Sequence, residues 1–155
     1  MAVKPDRIEL HTDVSFFMNT TAERGGVASV VVTASGSGVA MDDANAVVAY
    51  AAVGSGARPV GVLLNDVVNY DLTRQHINWY KDEMQVGGKV VLLRQGQVTT
   101  NLISSGPGQT PGPGLDAYVN NNGYIGVVAS GGTKIGQWLS AKDADGYAKL
   151  SVNIT

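Results

Sequence analysis

The chain has 155 residues, which corresponds to a single domain because most domains contain roughly 100 to 150 residues. Charged residues make up 15% of the chain, hydrophobic residues make up 44% and Gly contributes 20 residues, a composition that argues against intrinsic disorder and disfavours a helical bundle. The lack of Cys excludes thiolate chemistry, and the presence of only two His leaves little for a His-rich metal centre. The net charge of −2 argues against nucleic acid as a partner.

The first predicted element is a strand over residues 7–16, where apolar and polar side chains alternate. The apolar side chains of this segment are Ile8, Leu10, Val14, Phe16 and the adjacent Phe17. They stand before the first turn, where chain termini are usually polar, so we expect another surface to cover them. The segment is either an arm that orders on a partner or the first strand of the barrel. We adopt the first interpretation, with residues 1–24 as an N-terminal arm, residues 25–155 as a β-barrel domain and the five apolar residues as the interface.

Three further strands are predicted over residues 27–33, 46–53 and 60–68, which are rich in β-branched and other apolar side chains. Gly-Ser-Gly turns at residues 36–38 and 54–56 end the first two of them. The segment 46–53 is apolar enough for a strand buried on both faces or for a short helix, and we favour the strand. This part of the chain therefore predicts a sheet with tight Gly-bearing connections.

Residues 71–84 carry the one plausible helical pattern of the chain. Their apolar side chains cover one side of a helix, and Asp71 stands at the N-cap position. Several of these residues are aromatic or β-branched, so the same segment also suits an extended strand. Both conformations remain open.

The C-terminal half is predicted to consist of strands and turns. Residues 89–94 and 98–103 flank Gln95-Gly96-Gln97, which predicts a hairpin. Pro and Gly dominate residues 106–114, which predicts a surface loop. The last strands are predicted at 116–119, 124–129, 137–140 and 147–154. The whole pattern indicates a mainly β fold, a small barrel or sandwich with an extended N-terminal arm and at most one short helix.

Four candidate sites have simpler structural explanations. His11 and Asp13 supply only two metal ligands, and alternating polar residues on the wet face of a strand explain them. The motif Asp143-Ala144-Asp145-Gly146 lacks the acidic residue that closes a calcium loop, so we expect an Asp-Gly turn. A Ser nucleophile would need His11 or His76 as its base, and neither is well placed. The large aromatics Trp79, Tyr80 and Trp138 are expected in the core rather than as a platform for sugar.

A longer pattern extends over roughly residues 46–154. Its centre is the block Pro59-Val60-Gly61-Val62-Leu63-Leu64-Asn65-Asp66-Val67-Val68, continued by Asp71 to Asn78, Lys81-Asp82-Glu83 and Val86-Gly87-Gly88-Lys89-Val90. This block resembles tailed-bacteriophage capsid decoration proteins, which are also called head-stabilising or cement proteins. The later pattern of Gly114 to Val119, Gly123 and Ile135 to Gly146 is similar to the C-terminal half of small β-barrel cement proteins.

The resemblance implies a structural virion protein without enzymatic activity, cofactor or metal. Such a protein binds the outer surface of a phage capsid and bridges subunits of the major capsid protein, often as a homotrimer. Apolar runs of only a few residues exclude a bilayer span, which needs roughly 20, and no signal peptide is evident, so synthesis in the host cytoplasm is expected. The alternative is a carbohydrate- or receptor-binding β module on the virion. A minor alternative is an enzyme, because Gly61 to Asp66 faintly resembles a strand motif of trimeric dUTP-hydrolysing enzymes.

Overall fold

The computed structural model describes residues 3–30, 47–51, 57–69, 73 and 81–155. The strands, in chain order, are β1 (Ile8–Met18), β2 (Val27–Val30), β3 (Val47–Ala49), β4 (Arg58–Leu63), β5 (Asp66–Val68), β6 (Glu83–Gln85), β7 (Lys89–Thr100), β8 (Asp116–Val119), β9 (Ile125–Gly126), β10 (Lys134–Trp138) and β11 (Ala148–Asn153). Within these described ranges there is no α-helix, and the prediction of a mainly β fold built as a small barrel is confirmed.

Five strands form a closed barrel in the order β1, β3, β2, β4 and β7. The barrel closes because β1 pairs with β7 along most of its length, from Ile8 opposite Gln97 to Phe17 opposite Lys89. On its other side β1 runs parallel to β3, with Met18 opposite Val48. Closure removes the exposed edges that an open five-stranded sheet would present.

The remaining long strands form a second group that shares β7 with the barrel, in the order β7, β11, β10, β8 and β9. Beyond the barrel, the C-terminal part of β7 pairs with β11, from Gln95 opposite Asn153 to Thr100 opposite Ala148. The strand at the end of this order, β9, contacts the residues that follow β7, where the Ile125 amide donates to the Leu102 carbonyl at 3.0 Å. The second group therefore curls around a core of its own.

The apolar side chains divide into two clusters that match these two groups of strands. The barrel cluster consists of Met18, Ala28, Val48, Val60, Leu63, Val67, Val90 and Leu92. The larger cluster includes Val62, Leu93, Val98, Ile125, Ile135, Trp138, Leu150 and Val152. Neighbouring residues of β4 and β7 belong to different clusters, since successive side chains of a strand point to opposite faces. These two strands are thus buried on both faces.

The N-terminal segment is a barrel strand rather than an arm beside the barrel. Met18 is fully buried in the barrel, and Val3 is buried against the larger cluster, where it bridges to Thr100. Residues 8–17 of this segment pair with β7 within this chain. The structure therefore supports the second of the two interpretations of this segment, and residues 8–18 belong with the barrel.

The predicted hairpin at Gln95-Gly96-Gln97 is wrong. These residues lie inside β7, which continues without a turn from Lys89 to Thr100. Gly96 is needed for another reason: it has a φ of +148°, and a Cβ at this position would collide with the carbonyl oxygen of Ile8. A close approach of two backbones favours Gly just as a turn does.

The end of the predicted helix over residues 71–84 is also not helical. Residues 81–82 form a turn, and β6 then pairs in parallel with β5, with Met84 opposite Val67. The rest of that prediction, including His76, Trp79 and Tyr80, lies outside the described residues apart from Thr73, and so do the two predicted Gly-Ser-Gly turns.

Candidate functional site

Three exposed apolar side chains stand on β1. Ile8 is 49% exposed, Leu10 is 76% exposed and Val14 is 56% exposed. Together they form what we call the β1 apolar group. A single exposed aliphatic side chain is ordinary on a protein surface, but several on one strand are typical of a surface that contacts another molecule.

The exposure of this group accompanies irregular pairing between β1 and β7. The register of the pair shifts at three places between Glu9 and Phe16. Phe16 and Met18 contact the barrel core, while Ile8 and Leu10, at positions of the same parity, face solvent. Simple alternation could not predict this change of face.

The two Phe residues that we predicted in the interface have different surroundings. Phe16 is partly buried and packs against the barrel cluster. Phe17, opposite Lys89 on β7, is also partly buried, and the Lys89 ammonium lies 5.3 Å from the centre of its ring. The structure therefore brings Ile8, Leu10 and Val14 into solvent and leaves the two rings half-covered by their own chain.

Asp13 belongs to a hydrogen-bonded cluster at the barrel wall. Its carboxylate accepts a hydrogen bond of 2.9 Å from the Ser15 amide and another from the Ser15 hydroxyl, and it lies 3.6 Å from Nη1 of Arg94. Partial burial raises the pKa of Asp13, but the Ser15 hydrogen bonds and the Arg94 charge outweigh it and lower the pKa below its ordinary value. Asp13 is therefore an anion held by its own neighbours.

The predicted Asp-Gly turn is present. The Asp143 carboxylate accepts the amides of Asp145 and Tyr147, each at 2.9 Å, and Gly146 has a φ of +85°. A hydrogen bond from the Lys4 ammonium lowers the pKa of Asp143. The acidic side chain is thus used to fold the loop and to attach the N-terminal segment to it.

A charged cleft of about 810 Å³ borders the N-terminal segment. Its walls include Lys4, Arg7, Glu9, Arg24, Asp66 and Asp82. Arg24 is buried, with its guanidinium 3.7 Å from the Asp66 carboxylate and 3.4 Å from that of Asp82. Arg7 and Glu9 form a further ion pair. Because opposite charges pair within the walls, this cleft is explained as a structural ion network.

A second, polar cleft was missed by the sequence analysis. It has a volume of about 320 Å³ and lies where the chain after β7 meets the turn between β8 and β9. Its lining includes Ser104, Gln109, Asn120, Asn121, Tyr124 and Ser130. Ser, Asn and Gly in turns are common for conformational reasons, so this segment carried no local signal that distinguished a binding site from a connection.

Trp138 is fully buried and its indole donates to the Gly126 carbonyl at 3.4 Å, which confirms its expected place in the core. In the part of the chain that the structure describes, no three His, Cys, Asp or Glu side chains gather closely enough to hold a metal ion. No helix among those residues is both long and apolar enough to span a membrane.

Comparison with known proteins found no family model and no curated protein that matches the sequence.

Proposed function

We propose that this protein is a non-enzymatic structural module that binds the outer surface of a tailed-phage capsid and stabilises it by bridging subunits of the major capsid protein. The observation that carries the proposal is the exposure of the β1 apolar group on a strand of a closed barrel. The resemblance of the central block to capsid decoration proteins supplies the partner. Attachment requires no cofactor.

The β1 apolar group suits attachment because its strand is already ordered. β1 is hydrogen-bonded to β7 over most of its length and to β3 near its end. Binding through a preformed surface avoids most of the entropic cost of ordering a flexible segment. A decoration protein with this surface would dock as a rigid body.

The energy available from this group explains why a decoration protein would bridge several subunits. Removing one such aliphatic side chain from water contributes about 1 to 2 kcal/mol. Three of them give weak attachment once the loss of translational and rotational freedom is counted. A homotrimer that contacts several capsid subunits at once would gain avidity without any new kind of contact.

The experiment is co-sedimentation with undecorated heads of the phage that encodes the chain. Replacing Ile8, Leu10 and Val14 together with Ser should lower the affinity at least about tenfold, because the apolar area of the interface is lost. Leu139→Ser is the matched control, since Leu139 is also an exposed aliphatic residue but lies directly after β10. Equal binding by the triple variant and the control, with both folded by circular dichroism, would contradict the proposal.

A further inference from the structure

The polar cleft has the chemistry of a binding site for a neutral, hydroxyl-rich ligand. The side chains that line it are hydroxyls, carboxamides and one phenol ring, and none of them is charged. Its volume of about 320 Å³ falls at the lower end of the range of small-molecule sites, about 300 to 1,000 Å³. A charged ligand would find no opposite charge in this wall, so the lining favours an uncharged molecule.

Hydrogen bonds within the protein fix two of the three carboxamides that line the cleft, those of Gln109 and Asn120. The Gln109 side-chain oxygen accepts the Val127 amide at 2.8 Å, and the Asn120 side-chain nitrogen donates to the Ser104 hydroxyl at 2.9 Å. Both side chains cross directly over Gly126, where a Cβ would collide with each of them. Because these groups are held in place before any ligand arrives, binding would cost little side-chain entropy.

One atom of the lining residue Asn120 has no hydrogen-bond partner within the described part of the chain. The side-chain oxygen of Asn120 is buried and accepts no hydrogen bond from any residue that the structure describes. A buried acceptor without a donor is unfavourable by about 1 to 3 kcal/mol, and such groups are uncommon in folded proteins. The carboxamide of this lining residue therefore retains one unused acceptor.

The rim of the cleft offers apolar surface beside the polar groups. Tyr124, a lining residue, is 41% exposed. Val128, whose amide donates a hydrogen bond to the Gln109 side-chain oxygen, is 44% exposed. The ring of Tyr124 suits contact with the C–H face of a sugar, while hydroxyls that both donate and accept match the Ser, Asn and Gln groups. We infer that the polar cleft binds one neutral sugar unit.

This site is separate from the surface proposed to attach to the capsid. The polar cleft is built from residues 104–130 of the second group of strands, whereas the β1 apolar group lies on the barrel and shares no residue with it. Sugar binding therefore does not depend on capsid binding, and either property can be tested without the other.

The test is NMR titration of the full chain with the methyl glycosides of glucose, galactose, mannose and N-acetylglucosamine. At least one of these glycosides should shift the amide resonances of Tyr124 and Val127 in a saturable manner. Glucuronate should bind more weakly, because the lining of the cleft has no cationic side chain to pair with its carboxylate. A second arm uses oligosaccharides of the sugar that binds. Affinity that rises with chain length indicates a polysaccharide as the natural source, and constant affinity indicates a free or terminal sugar unit.

Two variants test the position of the site. Tyr124→Ala should lower the affinity about tenfold through loss of the ring contact, while Leu115→Ala, at a similarly exposed residue outside the cleft lining, should not change it. Ser105→Trp, at an exposed lining residue, should block the cleft even if Tyr124→Ala does not fold. No saturable shifts with any of the four glycosides, or unchanged binding by Ser105→Trp, would overturn the inference.

Discussion

Tyr50 shows how one residue connects the barrel to the second group of strands. It follows β3, its hydroxyl donates to the Glu23 carbonyl, and it accepts the Gly26 amide at 3.1 Å. The ring lies against Gly123 in the turn between β8 and β9, so close that a Cβ on Gly123 would be 2.6 Å from a ring carbon. Burial raises the pKa of the Tyr50 hydroxyl above its ordinary value, so this group stays a neutral hydrogen-bond donor even in alkaline solution.

Gly123→Ala should therefore lower the free energy of unfolding by about 2 to 4 kcal/mol, since it combines a strained backbone with overpacking against Tyr50. The backbone strain arises because Gly123 has a φ of +75°. Gly114→Ala is the matched control: its φ is +83°, but a Cβ there would meet no atom within 4 Å. This control should cost about 1 kcal/mol, the backbone contribution alone. Urea unfolding measures both, and equal losses would show that the Tyr50 contact carries no energy.

Asp13 predicts how the stability of the barrel depends on pH. Its pKa is lowered in the folded state, so the ionised carboxylate contributes stability above the ordinary Asp pKa of about 3.9 and loses it as the pH falls through the folded pKa. Asp13→Asn should lower the free energy of unfolding at pH 7 by about 1 kcal/mol. The difference between the two proteins should shrink below about pH 4. Unfolding curves that stay equally separated from pH 7 to pH 2 would contradict this origin.

At the scale of elements, the local pattern predicted most strands but not their partners. Alternation located β1, and strand-forming side chains bounded by turn residues located β8 and β11, each to within a few residues, because these local signals do not depend on which strand is the partner. Gly96 misled the prediction because the sequence does not distinguish a Gly that makes a turn from one that admits a neighbouring backbone. That distinction depends on Ile8, far away in the sequence.

The pairing of β1 with β7 and β3 determines whether the N-terminal segment is needed for folding. Deleting residues 1–24 removes β1, and with it the strand that closes the barrel between β3 and β7. We expect the truncated chain to lose its sheet signal in circular dichroism and its cooperative thermal transition, since an open sheet would expose the apolar side chains of the barrel cluster. A truncated chain that keeps both would show that β1 is dispensable for folding and acts only as an interface segment.

At the scale of the whole molecule, composition indicated the fold class but not the division into two cores that share β7. Two clusters arise because β4 and β7 bury both of their faces, and local periodicity does not specify which neighbour lies on which face. The candidate surface was partly predictable, since the sequence singled out Ile8, Leu10 and Val14. The polar cleft was not, because its walls come from separate turns that only the tertiary fold brings together.

The proposed capsid function predicts a preference between two states of the phage head. A rigid barrel needs a preformed surface shared by several subunits, so it should bind expanded, mature heads much more tightly than precursor shells. Because it binds only the assembled state, it should also raise the temperature at which the head unfolds, by an amount that grows with occupancy. Calorimetry of heads at increasing ratios of this protein measures the shift, with the Ser triple variant of the β1 apolar group as the control. Decorated heads that unfold at the temperature of bare heads, or equal binding to mature and precursor shells, would count against a stabilising role.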